Sequence, residues 1–397
     1  MIYRRVTAAA LCVLFIIALS SGCKGSSDGW YADDGQPSDT SPTATVSLIP
    51  PTDAPSTDNG DPGFLLFSDI DFEAAFATYP PDTVMIVAGD YIVTWEEIFF
   101  NIYGALNYIN ASYGVLPDLS EITSDGATYA ETMLEYAAEN AILYRGLEHG
   151  VSLKGITLDG EALDSYNADF AELAALYGGE DELMQILWES DGIKNIDFFR
   201  YIFSIGYLSN IAFESLYGEE GVLLTDEEVA EITVYDGFLM AKHILRLKTE
   251  DDDDTPLSES EAILERIVAY NGSDFDAFFD ELMVENSEDT GLYMFPDGYL
   301  FQYGDMVQEF YNVCMVLDIG ECSGIVETTY GYHIIYRIPL NFDVIPTSHA
   351  RMDDYRTLRY LVAMDLFDKA INDWIELLSI EYTEAYESID VAAIFSK

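Results

Sequence analysis

Basic residues are scarce in this chain. Lysine and arginine number 17 against 72 aspartates and glutamates over 397 residues, leaving a formal net charge of −55. A chain so poor in cations cannot neutralise a run of phosphates, which argues against nucleic-acid binding. Cysteine is nearly absent too, with four in all. Two of them, Cys314 and Cys322, stand far from the N-terminus. They are too few for a disulfide framework in a chain of this length, and are compatible with one bridge or with two buried thiols. Histidine also numbers four, and His149 and His349 belong to no visible constellation. The acidic run Asp251–Asp254 lacks the alternating spacing and distal glutamate of a calcium loop, so it reads as a solvated loop and no metal site is expected. No repeat of fixed period occurs. What the chain does have is apolar residues, 49% hydrophobic and 14% aromatic. That is enough to fold, over a length that accommodates two domains.

The first residues read as an export leader. Arg4 and Arg5 precede an apolar run from Val6 to Leu19, shorter than the roughly 20 residues of a membrane span and suited to the core of a signal peptide. Leu19-Ser20-Ser21-Gly22-Cys23 then resembles the bacterial lipobox, with Ser20 where a leucine is usual and Leu19 one place further back. The resemblance implies a signal peptide over 1–22 and acylation of Cys23. Ordinary signal cleavage beside an incidental cysteine is the alternative. Residues 23–63 are rich in Ser, Asp, Gly, Pro and Thr and read as a lipid-anchored disordered tether. The expected location is the extracellular face of the cell membrane, held by the lipid anchor only. The acidity then suits neutral or cationic polypeptide partners, or reflects a general adaptation of secreted proteins.

The folded part is expected from about Thr83. Val84–Val87 and Tyr91–Val93 read as strands around Ala88-Gly89-Asp90. Thr94-Trp95-Glu96-Glu97 reads as a capping box that opens a helix to about Tyr113. Helices follow over about 129–149 (ended by Gly150), 158–177, 180–189 and 196–217. A second capping box at Thr225–Glu228 opens one more, to about Val234. Near Phe238 the pattern changes to β-α-α-α-β-β. The strands are Met240–Arg246, Ser323–Val326 and His333–Ile338; the helices are 259–270, 274–285 and 307–316. A long amphipathic helix over Asp353–Leu378 and a strand-like segment, Ile380–Tyr386, close the chain.

Five segments carry the chemistry. Ala241-Lys242-His243-Ile244-Leu245 opens the second region and Tyr330-Gly331-Tyr332-His333-Ile334-Ile335 closes it. Gly304-Asp305-Met306-Val307-Gln308-Glu309-Phe310 and Gly320-Glu321-Cys322-Ser323-Gly324-Ile325-Val326 lie between them, and Asn286-Ser287-Glu288-Asp289 precedes both. In this order and spacing the segments resemble the parvulin family of peptidyl-prolyl cis-trans isomerases. More loosely, residues 83–390 resemble the extracellular foldase lipoproteins and the periplasmic survival-type chaperones. The resemblance implies an α+β fold in which a mostly helical chaperone-like domain carries an inserted parvulin domain, a small antiparallel sheet flanked by helices. The boundaries are 83–237 for the helical domain, 238–338 for the parvulin domain and 339–397 for a C-terminal helix packing back on the first. It further implies that His243, Asp289 and His333 are the catalytic groups, that Met306 and Phe310 line a proline pocket, and that no cofactor is needed. Clients would be unfolded or newly exported polypeptides with X–Pro bonds. A homodimer through the helical region is left open.

Rotation about an X–Pro bond faces a barrier of roughly 18–20 kcal/mol, and the twisted amide loses its resonance polarity. An apolar pocket that grips the proline ring favours that state. The residues alone leave alternatives open. Two histidines on apolar strands also read as core, Met306 and Phe310 as packing, and Asp289 as a loop carboxylate. The family's Gly-Gly-Asp-Leu-Gly stretch is replaced by Tyr293–Phe301, so the pocket rim differs. No arginine cluster favours phosphorylated substrates. A non-catalytic holdase on the same fold is the competing function. A solute-binding lipoprotein ranks last, for want of a two-lobed α/β pattern.

Overall fold

The computed structural model describes residues 71–113, 116–123, 126–248, 254–352 and 354–395. The expected leader, Cys23 and the tether lie outside the described residues, as do residues 251–253 of the acidic run. The fold is mostly helical with two small antiparallel sheets. Among the described residues no helix is long and apolar enough to cross a membrane. The chain divides into two compact units. One runs to Ser215 and resumes at Phe367, and the other spans Leu216–Leu366.

The first unit begins ahead of Thr83, with α1 (Phe72–Thr78) capped by Asp71, whose carboxylate accepts the Ala74 N–H at 3.0 Å. Phe72 and Phe76 make ring contacts with Trp188 and Phe99. Strands β1 (Val84–Ala88) and β2 (Tyr91–Thr94) form a hairpin through Gly89, whose φ of +59° suits the turn. Helix α2 (Trp95–Tyr113) buries Trp95, Ile98, Phe99, Ile102 and Leu106, a 3.6-period stripe. The capping box expected at its start is not formed. Glu97 turns inward, 2% exposed, and accepts a 2.5 Å bond from buried Arg145. Burial pushes its carboxyl up to about 8, against the pull of the Arg145 guanidinium.

Helix α3 (Tyr129–Lys154) opens with a complete capping box between Thr128 and Glu131. It does not stop at Gly150 but runs to Lys154 and closes at Gly155, with φ +67°. Gly150 is a packing notch: a Cβ there would lie 1.9 Å from Trp374 Cε3. Three helices complete this part of the chain: α4 (Gly160–Tyr177), α5 (Glu180–Asp191) and α6 (Ile196–Tyr217).

In the second unit α7 (Asp226–Asp236) starts at the expected capping box of Thr225 and Glu228. Next come β3 (Leu239–Leu247), α8 (Asp254–Ala269), α9 (Phe275–Asn286), β4 (Tyr299–Phe301), α10 (Gln308–Val316), β5 (Cys322–Glu327) and β6 (Gly331–Ile338). The strand order is β4-β3-β6-β5, antiparallel throughout. Strand β4 has no signature in the sequence, because three residues show no alternation. Helix α8 begins earlier than expected, so Asp254 of the acidic run is its first residue.

The unit extends beyond 238–338 on both sides because Arg359 ties those flanks together. Its guanidinium donates to the Leu224 carbonyl at 2.7 Å, to Asp226 at 2.6 Å and to Asp343 at 2.6 Å. The long helix expected over 353–378 is shorter, α12 (Leu358–Ile375), and a separate short α11 (Thr347–Arg351) precedes it. Asp354 lies ahead of the start of α12: its carboxylate accepts the Arg356 N–H at 3.2 Å and bonds His349 Nδ1 at 2.7 Å. Such local side-chain bonding competes with helical hydrogen bonds.

Back in the first unit, β7 (Ile380–Tyr382) pairs with β1, giving the order β2-β1-β7. The strand ends before Tyr386 because Thr383 caps the short α13 (Glu384–Glu387). Helix α14 (Val391–Phe395) then stacks Phe395 on Phe99, centroids 5.2 Å apart.

Candidate active site

The two central strands of the second sheet carry one histidine each. His243 on β3 stands opposite Ile335, and His333 on β6 stands opposite Leu245. This diagonal register puts both rings on one face. Their Nδ1 atoms are 3.1 Å apart, and the rings lie near-parallel at 21°. Asp289 arrives from the end of α9 on a segment laid along β3. Ser287 Oγ accepts the Leu245 N–H at 3.1 Å, the Glu288 N–H donates to the Leu245 carbonyl at 2.8 Å, and Glu288 accepts the Leu247 N–H at 2.8 Å. So held, Asp289 Oδ2 lies 2.9 Å from His243 Nε2.

These contacts have one consistent direction. Burial alone would raise the Asp289 carboxyl, but hydrogen bonds from His243, Tyr299 and the Gly291 N–H outweigh it and hold the group at about 2. An ionised carboxylate only accepts. With both rings neutral, His243 donates from Nε2 and accepts at Nδ1. His333 must then donate from Nδ1, leaving its Nε2 to accept from the Thr328 hydroxyl at 2.8 Å. Thr328 Oγ1 in turn accepts the Tyr330 N–H at 3.1 Å. Burial, then repulsion by His243, pushes His333 down to about 3, so its ring stays neutral. The tautomers follow from this network.

The apolar half lies against the rings. Phe310, in the first turn of α10, meets His243 at 5.2 Å and His333 at 5.7 Å, both edge to face. It belongs to a cluster with Leu239, Ala241, Tyr299, Phe301, Cys314, Leu317 and Ile335, on which Met306 and Phe295 also pack. Met306 sits in the loop before α10, which starts at Gln308. Phe310 is only 2% exposed, while Met306 is half-buried.

The structure thus brings His243, His333, Asp289, Met306 and Phe310 into one place. Cys23 lies outside the described residues. Sequence reading passed over Thr328 and Tyr299. Thr328 stands five residues before His333, a spacing that means nothing until the β5–β6 turn folds it back. Tyr299 lies in the stretch that departs from the family pattern. Cys314 and Cys322 are both free thiols, raised by burial to about 11 and about 12. Among the described residues no group of three or more histidine, cysteine or acidic side chains could hold a metal ion. A cleft of about 470 Å³ in the first unit is lined by Glu96, Glu97, Arg145, Lys194, Phe198 and Tyr201; the histidine pair is not part of it.

Residues 243–338 match the family model of the rotamase, a PPIC-type PPIase domain. Over 117 residues the chain is 35% identical to the foldase protein PrsA of Halalkalibacterium halodurans. That match covers 29% of this chain, and the chain spans about a third of the relative's length, 32%. Among solved structures, PrsA from Bacillus cereus is 19% identical, with a TM-score of 0.29 over 70% of this chain and 99% of that one. The parvulin NmPin of Nitrosopumilus maritimus is 28% identical, with a TM-score of 0.20 over 26% of this chain and 97% of its own. The family match, not these superpositions, defines the domain.

Proposed function

We propose, from the premise that residues 243–338 belong to the PPIC-type rotamase family, that this chain is an exported foldase catalysing cis-trans isomerisation of X–Pro bonds. The single observation that carries the reading is the chain Thr328–His333–His243–Asp289 set against Phe310. In this reading Met306 and Phe310 grip the proline ring while the preceding carbonyl turns. The neutral His333 keeps the surroundings weakly polar, which suits a twisted amide that has lost its resonance charge separation. No bond is broken and no proton leaves, so a site without a nucleophile is sufficient. Asp289 holds His243 in one orientation. Unfolded secreted polypeptides are the clients, and the acylated Cys23 keeps the chain at the outer face of the membrane. Pairing into a homodimer remains part of the proposal.

A protease-coupled assay on a proline-containing peptide tests this. The full chain should accelerate cis-to-trans exchange well above its uncatalysed time of tens of seconds. A rate at background removes the isomerase reading. The holdase reading has its own observation: Phe310 is 2% exposed, while Tyr293 and Met294 in the altered stretch are 94% and 59% exposed. Background turnover together with suppressed client aggregation would favour it.

A further inference from the structure

We infer that Tyr299 is a positioning residue of this site: its phenol, admitted by a bare Gly291, locks Asp289 as the anionic anchor of the histidine pair and turns that carboxylate away from the substrate. The inference rests on the isomerase reading only for its catalytic consequence. Tyr299 stands on β4 opposite Ala241 and is 5% exposed. Its hydroxyl donates to Asp289 Oδ2 at 2.5 Å, the same oxygen that His243 Nε2 reaches at 2.9 Å. The other oxygen accepts the Gly291 N–H at 2.9 Å. A carboxylate offers about four acceptor positions, so its own chain occupies most of them and little is left for a substrate.

Gly291 supplies a second, independent sign of the arrangement. Its backbone is outside the left-handed region, so conformation does not demand glycine there. Space does: a Cβ would lie 2.0 Å from the Tyr299 hydroxyl oxygen and 3.2 Å from the ring carbon that bears it. The Tyr299 ring is fixed as well, at 4.8 Å from Phe295 and 5.3 Å from His243.

The groups facing Asp289 are His243 from β3, with His333 of β6 behind it, and Tyr299 from β4. The nearby cation, Arg246, is engaged by Glu259 and by the Asn286 carbonyl at 2.9 Å, with Glu288 at 3.6 Å. Glu288 also accepts the Leu247 N–H. A hydrogen bond to a charged group is among the stronger ones, so removing the phenol should be felt by the carboxylate directly.

The test uses the full chain labelled with ¹⁵N at histidine, of which there are four. In the wild type, His243 carries its proton on Nε2 and His333 on Nδ1. In Tyr299→Phe both tautomers should persist at neutral pH, which also shows that the sheet is intact. The acid transition that disrupts them should come at about tenfold lower proton concentration, because one charged hydrogen bond is gone. Gly291→Ala, which pushes the hydroxyl aside, should move it in the same direction. The acid limb of X–Pro isomerisation should follow. Transitions unchanged within about twofold in both variants overturn the inference. If the wild type turns over no peptide, the isomerase reading fails, while the tautomer transition still decides the role of Tyr299.

Discussion

Replacing Gly150 by alanine separates two roles that a glycine near a helix end can play. In an ordinary exposed helix position Gly→Ala stabilises by about 1 kcal/mol. At Gly150 the new Cβ would fall 1.9 Å from Trp374 Cε3, 2.0 Å from Cδ2 and 2.5 Å from Cε2. Ordinary carbon contacts are about 3.5–4.0 Å, so the indole would have to retreat by about 1.5 Å. Trp374 is 7% exposed and packs edge-on to Phe367, so it has little room to move. Overpacking of this kind costs about 1–3 kcal/mol, and an overlap with a rigid ring belongs at the upper end. The overlap outweighs the helix gain, for a net loss of about 2 kcal/mol. Urea unfolding followed by tryptophan fluorescence measures it cleanly. Of the four tryptophans, Trp95, Trp188 and Trp374 all lie in the first unit and Trp30 is outside the described residues. Adding Trp374→Leu should recover part of the loss, and turnover of a short proline peptide should be unchanged, since every site residue lies in the second unit. A midpoint that rises with Gly150→Ala alone would refute the reasoning.

Three further outcomes follow from the site. His333 is held at about 3 against an ordinary value of 6.5, so its neutral burial gives stability above pH 6.5 that is progressively lost as the pH falls toward 3. Acid unfolding of the second unit in that window should weaken in His333→Gln, and identical acid midpoints for the two proteins would count against it. Met306→Ala should lower kcat/KM about tenfold while changing stability by less than about 1.5 kcal/mol, because Met306 is half-buried. Phe310→Ala, at a fully buried ring, should cost about 3–5 kcal/mol of stability as well as the activity; equal stability losses for the two would show that both are merely packing.

What the sequence made legible was local or strongly patterned. The strands around His243 and His333 stood out because β3 and β6 are apolar on both faces and bounded by turns. The capping boxes at Thr225 and Thr128 depend on residues three apart, and the first of them was read correctly for that reason. Glu97 has the same spacing from Thr94, yet its carboxylate goes to Arg145 on another helix. Gly150 looked like a helix stop for want of any local sign of Trp374. Asp354 bonds its neighbours ahead of α12, which starts late, but an aspartate at one position of an amphipathic pattern gives no warning of it. Thr328 and Tyr299 acquire meaning only once β4, β5 and β6 are assembled, so their contacts with His333 and Asp289 had no periodic signature.

The first unit is made of two stretches of chain separated by the whole of the second. Its sheet is complete only when β7 reaches β1, with Val87 opposite Glu381, and the notch at Gly146 and Gly150 is filled only when Ile375 and Trp374 arrive. A chain delivered from its N-terminus therefore presents an unfinished helical unit, with an open strand edge and an empty groove, while the second unit already has all its strands. Loop-closure cost grows slowly with length, so the long wait is tolerable at equilibrium. In time, however, it sets an order: the inserted unit can finish first, and the host unit seals only once Trp374, Ile375 and β7 have appeared.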